Sequence, residues 1–219
     1  MAKVGVVLAG CGVYDGSEIH EAVVTLLTLD RAGAEIVCMA PNIEQGVVNH
    51  LTGEQAEGSS RNVLEEAARI ARGQISDIAQ VKASDFDALI IPGGFGAAKN
   101  LCTFAFKGPD CEVNADVARL IREVIAAKKP LGALCIAPAL VSKVLGEDKL
   151  PHRLTIGTDP ATAEALTSMG STHVDCSPRD CVVDEANKLV TTPAYMLAGS
   201  IGEAADGIEK AVKAVLELV

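Results

Sequence analysis

Cys135 is the residue in this chain best placed for chemistry. The run Leu131-Gly132-Ala133-Leu134-Cys135-Ile136-Ala137-Pro138-Ala139-Leu140 sets it between a buried apolar strand and a helix. That helix is predicted to start near Ala137 or Pro138, where proline suits the first turn. The layout is that of a nucleophile elbow with cysteine in place of serine. A thiol held there faces free backbone amides and the positive end of the helix dipole, both of which favour thiolate, the reactive species. Gly132 leaves room for a sharp turn, and the Ile136 amide falls where an oxyanion donor is needed. Taken alone, the cysteine is better explained as core, because free cysteine is among the most buried residue types. A second strand end reverses that preference. Pro92-Gly93-Gly94-Phe95-Gly96 follows the apolar run Ala88 to Ile91, and its glycines let the Gly93 and Gly94 amides converge on an anion. By itself this second run reads equally well as a tight turn with no ligand.

A third glycine-rich strand end, Gly10-Cys11-Gly12-Val13-Tyr14-Asp15-Gly16, approximates a dinucleotide fingerprint. Its third glycine is one position late, and no ribose-binding acid closes the next strand, so nucleotide binding is disfavoured.

The elements that must position these residues follow from hydrophobic spacing. Val4 to Ala9, Ile36 to Ala40, Ala88 to Ile91, Leu131 to Cys135, Leu154 to Ile156, Cys181 to Val183 and Leu189 to Thr191 read as strands. Helical spacing covers Ser17 to Ala32, Ser60 to Arg72, Asn114 to Lys129, Ala137 to Leu145, Pro160 to Met169 and Ile201 to Leu218. The alternation predicts an α/β fold with a mostly parallel sheet covered by helices on both faces. Val182 to Val190 reads as a late β-hairpin around Asp184-Glu185-Ala186-Asn187. The polar stretch Asn42 to Ser60 is expected to be a long loop that covers a site. No linker or repeat divides the chain, so one domain over residues 1–219 is expected.

Composition excludes several function classes. Lys and Arg number 19 against 29 Asp and Glu, a net charge of −10, which repels a nucleic-acid backbone. No apolar run approaches the roughly 20 residues needed to span a bilayer. The opening Met1-Ala2-Lys3 leads into a strand without a signal or transit pattern, and a cytoplasmic location is expected. The seven cysteines, Cys11, Cys38, Cys102, Cys111, Cys135, Cys176 and Cys181, are odd in number and fit free thiols. Cys102/Cys111 and Cys176/Cys181 are spaced too widely for a zinc site, and His20, His50, His152 and His173 are scattered. Neither metal nor cofactor is expected.

Ile90-Ile91-Pro92-Gly93-Gly94-Phe95-Gly96-Ala97-Ala98-Lys99-Asn100-Leu101, followed by the elbow at Cys135, resembles the superfamily of PfpI-type proteases, deglycase-like proteins and class I glutamine amidotransferases. The runs Gly10 to Glu21, Asn49 to Glu54, Arg61 to Leu64, Cys135 to Pro138 and Thr191 to Met196 are similar to those of the ElbB family, also called isoprenoid biosynthesis proteins. That resemblance runs from end to end. It implies a flavodoxin-like three-layer sandwich, a homodimer, and a glyoxalase that converts glyoxal to glycolate without glutathione. By motif, Cys135 becomes the nucleophile and Glu21 its acid partner, with Glu18 one turn earlier as the alternate. Periodicity does not choose Glu21, because Ile19, Val23, Leu26 and Asp30 share one stripe and Glu21 lies opposite. His20, Tyr14, Asn49, His50 and Arg61 are pocket candidates, each equally explained by ordinary packing or solvation; Cys11, at the end of the first strand, is a further candidate that packing explains better.

The chain departs from its relatives in one respect. Ile136 rather than histidine follows Cys135, and no histidine occurs after His173. Glutamine hydrolysis and proteolysis, which need an imidazole to protonate an amine leaving group, are therefore disfavoured. Two competing readings remain: a thiol-based peroxide sensor, and a small-amide or ester hydrolase in which His152 or His173 reaches Cys135.

Overall fold

The computed structural model describes residues 1–219. The first half contains β1 (Lys3–Val7), α1 (Ile19–Arg31), β2 (Glu35–Ala40), β3 (Glu44–Val48), β4 (Gln55–Asn62), α2 (Val63–Ile70), β5 (Ile75–Asp77), β6 (Ala88–Ile91), α3 (Phe95–Lys99) and α4 (Phe104–Lys107). The second half continues with α5 (Ala115–Ala126), β7 (Leu131–Leu134), α6 (Pro138–Glu147), β8 (His152–Leu154), α7 (Pro160–Ser168), β9 (Ser171–His173), β10 (Val182–Asp184), β11 (Leu189–Thr192) and α8 (Ile201–Glu217).

Seven strands form one sheet in the order β10-β11-β7-β6-β1-β2-β5. All pairs are parallel except the late hairpin β10-β11. Because side chains alternate along a strand, each strand feeds two cores. Val4, Val6 and Leu8 point with Ala88 and Ile90 toward α1, α2 and α8. Val7 and Ala9 point with Leu89, Ile91 and Leu131 toward α5, α6 and α7. This is the three-layer, flavodoxin-like α/β sandwich of the class I glutamine amidotransferase-like proteins. The cores are aliphatic, with Phe86 the aromatic buried among them.

Four local expectations are corrected. The stretch 42–60 is a hairpin, β3 with β4, rather than a loop. Buried Val47 and Val48 anchor it, and the Val48 amide donates to Asp15 Oδ2 at 2.8 Å; β4 is so exposed that no alternation marks it. The helix expected from Ser60 begins at Val63, where Asn62 caps the Glu65 amide. The strand expected at Leu154 to Ile156 ends at Leu154 and pairs with β9 in a separate small sheet. Lastly, α1 is turned so that Glu21, Ala22, Thr25, Thr28 and Leu29 are buried. Its apolar row Ile19, Val23 and Leu27 stays 43, 47 and 41% exposed. Small side chains on the inner face let α1 lie close against α8, and close packing outweighs the more apolar but bulkier stripe.

Candidate active site

The carboxyl ends of the central strands β1, β6 and β7 are where a sheet of this kind collects ligands, and there Cys135 meets Glu21. Cys135 directly follows β7 and has φ of 58°, a left-handed conformation uncommon for a residue with a side chain. Its amide is tied to the Thr192 carbonyl at 2.9 Å, and Pro138 starts α6 three residues later. The strained turn swings the thiol out of the sheet into a cavity while the residue stays only 8% exposed. Such strain persists only where the surroundings enforce it. Gly132 has a different role from the one expected. A Cβ there would sit 3.1 Å from Val215 Cγ2 and 3.2 Å from Ile90 Cγ1, so the glycine admits α8 to the sheet rather than shaping the elbow.

Glu21 is completely buried. Its Oε2 accepts from the Gly93 amide at 2.9 Å and its Oε1 from the Tyr195 amide at 3.2 Å, and its carboxyl lies beside the Cys135 thiol across Gly93. Glu18 Oε2 accepts from the Glu21 amide at 2.7 Å, capping α1 and fixing the turn that carries Glu21 inward. Burial raises the Glu21 carboxyl from 4.5 to about 7, with the Glu18 charge adding to the rise and the two amides and Cys135 opposing it. Burial and the Glu21 charge push the Cys135 thiol well above its usual range, against hydrogen bonds from the Gly94 and Ile136 amides. The expectation of a thiolate favoured by amides and helix dipole is therefore corrected: desolvation and a neighbouring anion outweigh both. The pair retains at least one proton at neutral pH.

The Gly93 amide is occupied by Glu21, which leaves Gly94 and Ile136 as the amides directed at the sulfur. Gly93 instead brings thiol and acid together. A Cβ there would collide with Cys135 Cβ and lie 2.7 Å from Glu21 Oε2 and 3.0 Å from Cys135 Sγ. Gly93→Ala is expected to cost about 1–3 kcal/mol of stability by overpacking. In urea titration its midpoint should fall below that of wild type; an unchanged midpoint would mean that the thiol and acid are not in this close contact.

A cavity of about 490 Å³ opens over Cys135, lined among others by Glu18, Phe95, Phe104, Ile136 and Tyr195. None of His20, Cys11, Tyr14, Asn49, His50 and Arg61 lines it. His20 Nδ1 lies 2.8 Å from the hydroxyl of the lining residue Tyr195. Tyr14 packs between His50 and the cavity residue Phe95, with centroids 5.1 and 6.3 Å away. His50 Nε2 accepts from the Tyr14 amide at 3.2 Å. Asn49 shapes the β3-β4 turn by accepting from the Leu51 amide, and Arg61 pairs with Glu66 at 3.3 Å. Cys11 is half-buried, with burial and Glu66 raising its thiol. His152 is held by the Leu150 carbonyl and Ser171, and His173 accepts from the Ile156 amide, so neither reaches Cys135. Of the cavity residues that sequence reading did not single out, Phe104 and Ala105 are apolar and Thr162 serves the Asp159 cap of α7, so no motif marks them. Phe95, Tyr195 and Met196 were within the resembling runs and could have been found there.

The site thus joins a cysteine at a strand-to-helix elbow of an α/β sandwich to a buried carboxyl, with no histidine lining the cavity. The DJ-1/PfpI pattern matches residues 7–197. The chain belongs to the DJ-1/PfpI family. It is 49% identical to the ES1 protein homolog, mitochondrial, of Rattus norvegicus, over 99% of this chain and 84% of that one. It is equally 49% identical to the human glutamine amidotransferase-like class 1 domain-containing protein 3, mitochondrial, over 99% of this chain and 83% of that one. A solved structure of an isoprenoid biosynthesis protein with an amidotransferase-like domain from Ehrlichia chaffeensis shares 39% identity. It superposes with a TM-score of 0.93 over 100% of this chain and 99% of that one. The rat, human and zebrafish relatives are named as mitochondrial proteins, which overturns the expectation of a cytoplasmic chain. That expectation rests on the lack of a signal or transit pattern in the residues before the first strand.

Proposed function

We propose that this protein is a glutathione-independent glyoxalase of the ElbB type, converting glyoxal to glycolate through Cys135 and Glu21. The observation that carries the proposal is a wholly buried carboxyl against the thiol with no histidine lining the cavity. A hydrolase must protonate a departing amine or alcohol, whereas an aldehyde has no leaving group and needs only a base that returns its proton.

Cys135 sulfur adds to one aldehyde carbon as its proton passes to Glu21, and the Gly94 and Ile136 amides hold the developing alkoxide. Protonation of that oxygen gives a hemithioacetal. Glu21 then removes the proton on the carbon bearing sulfur, giving an enediol, and returns a proton to the neighbouring carbon. The first carbon is thereby oxidised to a thioester and the second reduced to a carbinol. Water cleaves the thioester, releasing glycolate and restoring the thiol. A Glu21 carboxyl poised near 7 suits both halves of this transfer, since a catalytic group works best near the operating pH.

The test is glycolate formation from glyoxal by metal-free protein without glutathione. Failure of reduced, folded protein to form glycolate would reject the glyoxalase and leave peroxide sensing at the same thiol. We also propose that two copies of the chain pair through the exposed row Ile19, Val23 and Leu27, which recurs every fourth residue and can meet its own copy across a two-fold axis. A Val23→Glu/Leu27→Glu variant is expected to sediment as a monomer where wild type sediments as a dimer. A dimer that survives both substitutions would place the contact elsewhere.

A further inference from the structure

The proposed reaction charges two oxygens, and the groups placed so far serve one of them. The Gly94 and Ile136 amides are directed at the sulfur and hold the oxygen on the carbon that the sulfur attacks. When Glu21 takes the proton from that carbon, negative charge moves onto the oxygen of the neighbouring carbon, which needs a proton donor of its own. Few lining side chains can be that donor. Thr162 donates from Oγ1 to Asp159 Oδ2 at 2.6 Å, so its proton is already committed, and Glu18 accepts through Oε2 from the Glu21 amide at 2.7 Å. The Cys135 thiol is spent in forming the hemithioacetal. Tyr195 remains. Its amide is fixed to Glu21 Oε1 at 3.2 Å, which ties the residue to the acid, and its hydroxyl lies 2.8 Å from His20 Nδ1. Burial and the charges of Glu18 and Glu21 raise the phenol above its usual value, so it holds its proton at neutral pH. Glu18 Oε1 lies 3.9 Å from the same His20 nitrogen, and a carboxylate there favours a proton on Nδ1. His20 then donates to the phenol oxygen, and the phenol's own proton is free for the substrate.

We propose that Tyr195 is the proton donor to this second oxygen and that His20 is the residue that positions it. The inference rests on the glyoxalase reading and adds a catalytic group to it. As Glu21 removes the proton on the carbon bearing sulfur, the Tyr195 O–H bond breaks and an O–H bond forms on the neighbouring carbon's oxygen. The product is the enediol, beside a phenolate that accepts from His20 Nδ1–H. As Glu21 returns its proton to the neighbouring carbon, the thioester C=O forms on the first carbon and the proton of that oxygen passes to the phenolate. Tyr195 and Glu21 end the step as they began it. No proton or electron is gained or lost overall: the first carbon is oxidised and its neighbour reduced within one molecule.

The test measures glycolate formation by wild type, Tyr195→Phe, His20→Gln and His20→Leu, each with glyoxal and with glyoxal deuterated at both carbons. Tyr195→Phe is expected to lower kcat by about a hundredfold or more, with KM and the urea midpoint little changed. Its isotope effect on kcat should be at least as large as that of wild type, because breaking the C–H bond then limits turnover. His20→Gln, whose side-chain amide can still donate to the phenol oxygen, should keep more activity than His20→Leu. Unchanged kcat in Tyr195→Phe would overturn the inference. So would a loss with a smaller isotope effect than wild type or a lowered urea midpoint, since another step or the fold would then have suffered. Wild type that forms glycolate without needing Tyr195 would reject this role alone; wild type that forms none would reject the glyoxalase reading and this role with it.

Discussion

Cys135→Ser protein is expected to lose about a thousandfold or more of its glycolate-forming activity while unfolding within about 1 kcal/mol of wild type. Serine nearly matches cysteine in size and can occupy the same left-handed turn, whose φ of 58° is set by the strand-to-helix junction and the bond to Thr192. What changes is the nucleophile. A hydroxyl is a much weaker one, and the acid available to accept its proton has a pKa only near 7. Activity is read as glycolate formed from glyoxal, and stability from urea titration. Serine protein that turns over normally would remove Cys135 from the mechanism; serine protein that unfolds much earlier would show that the thiol packs as core and that lost activity reports lost structure.

Glu21→Gln is expected to lower kcat by about 10²–10⁴, the usual contribution of a positioned acid–base group. Glu18→Gln should cost less, because its amide oxygen can still cap α1 at the Glu21 amide. A larger loss at Glu18 would move the proton-transfer role there. The wild-type rate is expected to rise with pH through about 7, as the thiol–acid pair passes from two protons to one, and the Glu21→Gln variant should lack that limb.

The same substitution gives a stability signature of known sign. Glu21 has its pKa raised by burial from 4.5 to about 7, so the folded state holds this proton more firmly than the unfolded chain. The resulting stabilisation is fully present below 4.5 and is lost as pH rises through about 7, a change of roughly 3 kcal/mol. Between pH 4.5 and about pH 8, wild type should therefore weaken relative to Glu21→Gln by an amount of this order. Parallel pH–stability curves for the two proteins would mean that the carboxyl is hydrated rather than buried against the thiol. A group that is costly to ionise in the folded state, yet is kept beside a strained cysteine, is the pattern of a site that gives up stability for function.

Much of this was legible in the residues. The βαβ alternation set the parallel sheet, and Val182 to Val190 announced the hairpin that closes one edge. Pro138 after Cys135 marked the elbow, since proline can begin a helix but cannot sit within its hydrogen-bonded body. These signals are local: they depend on spacing, backbone freedom and a missing amide hydrogen within a few positions. The 3-residue strands β5 and β9 and the exposed β4 escaped because they are too short or too wet to show a period.

Sequence alone determined the sandwich, the cysteine at its elbow and, through resemblance, Glu21 as its partner. Only the tertiary structure decided which face of α1 is buried, because that depends on how closely α8 can approach a surface of Ala22, Thr25 and Thr28 rather than on which stripe is more apolar. It likewise decided that the Gly93 amide serves Glu21 instead of an oxyanion, and that the elbow thiol is held protonated. Both outcomes arise from desolvation and from contacts between residues 72 and 114 positions apart, and no local pattern encodes how much water such distant segments exclude when they meet.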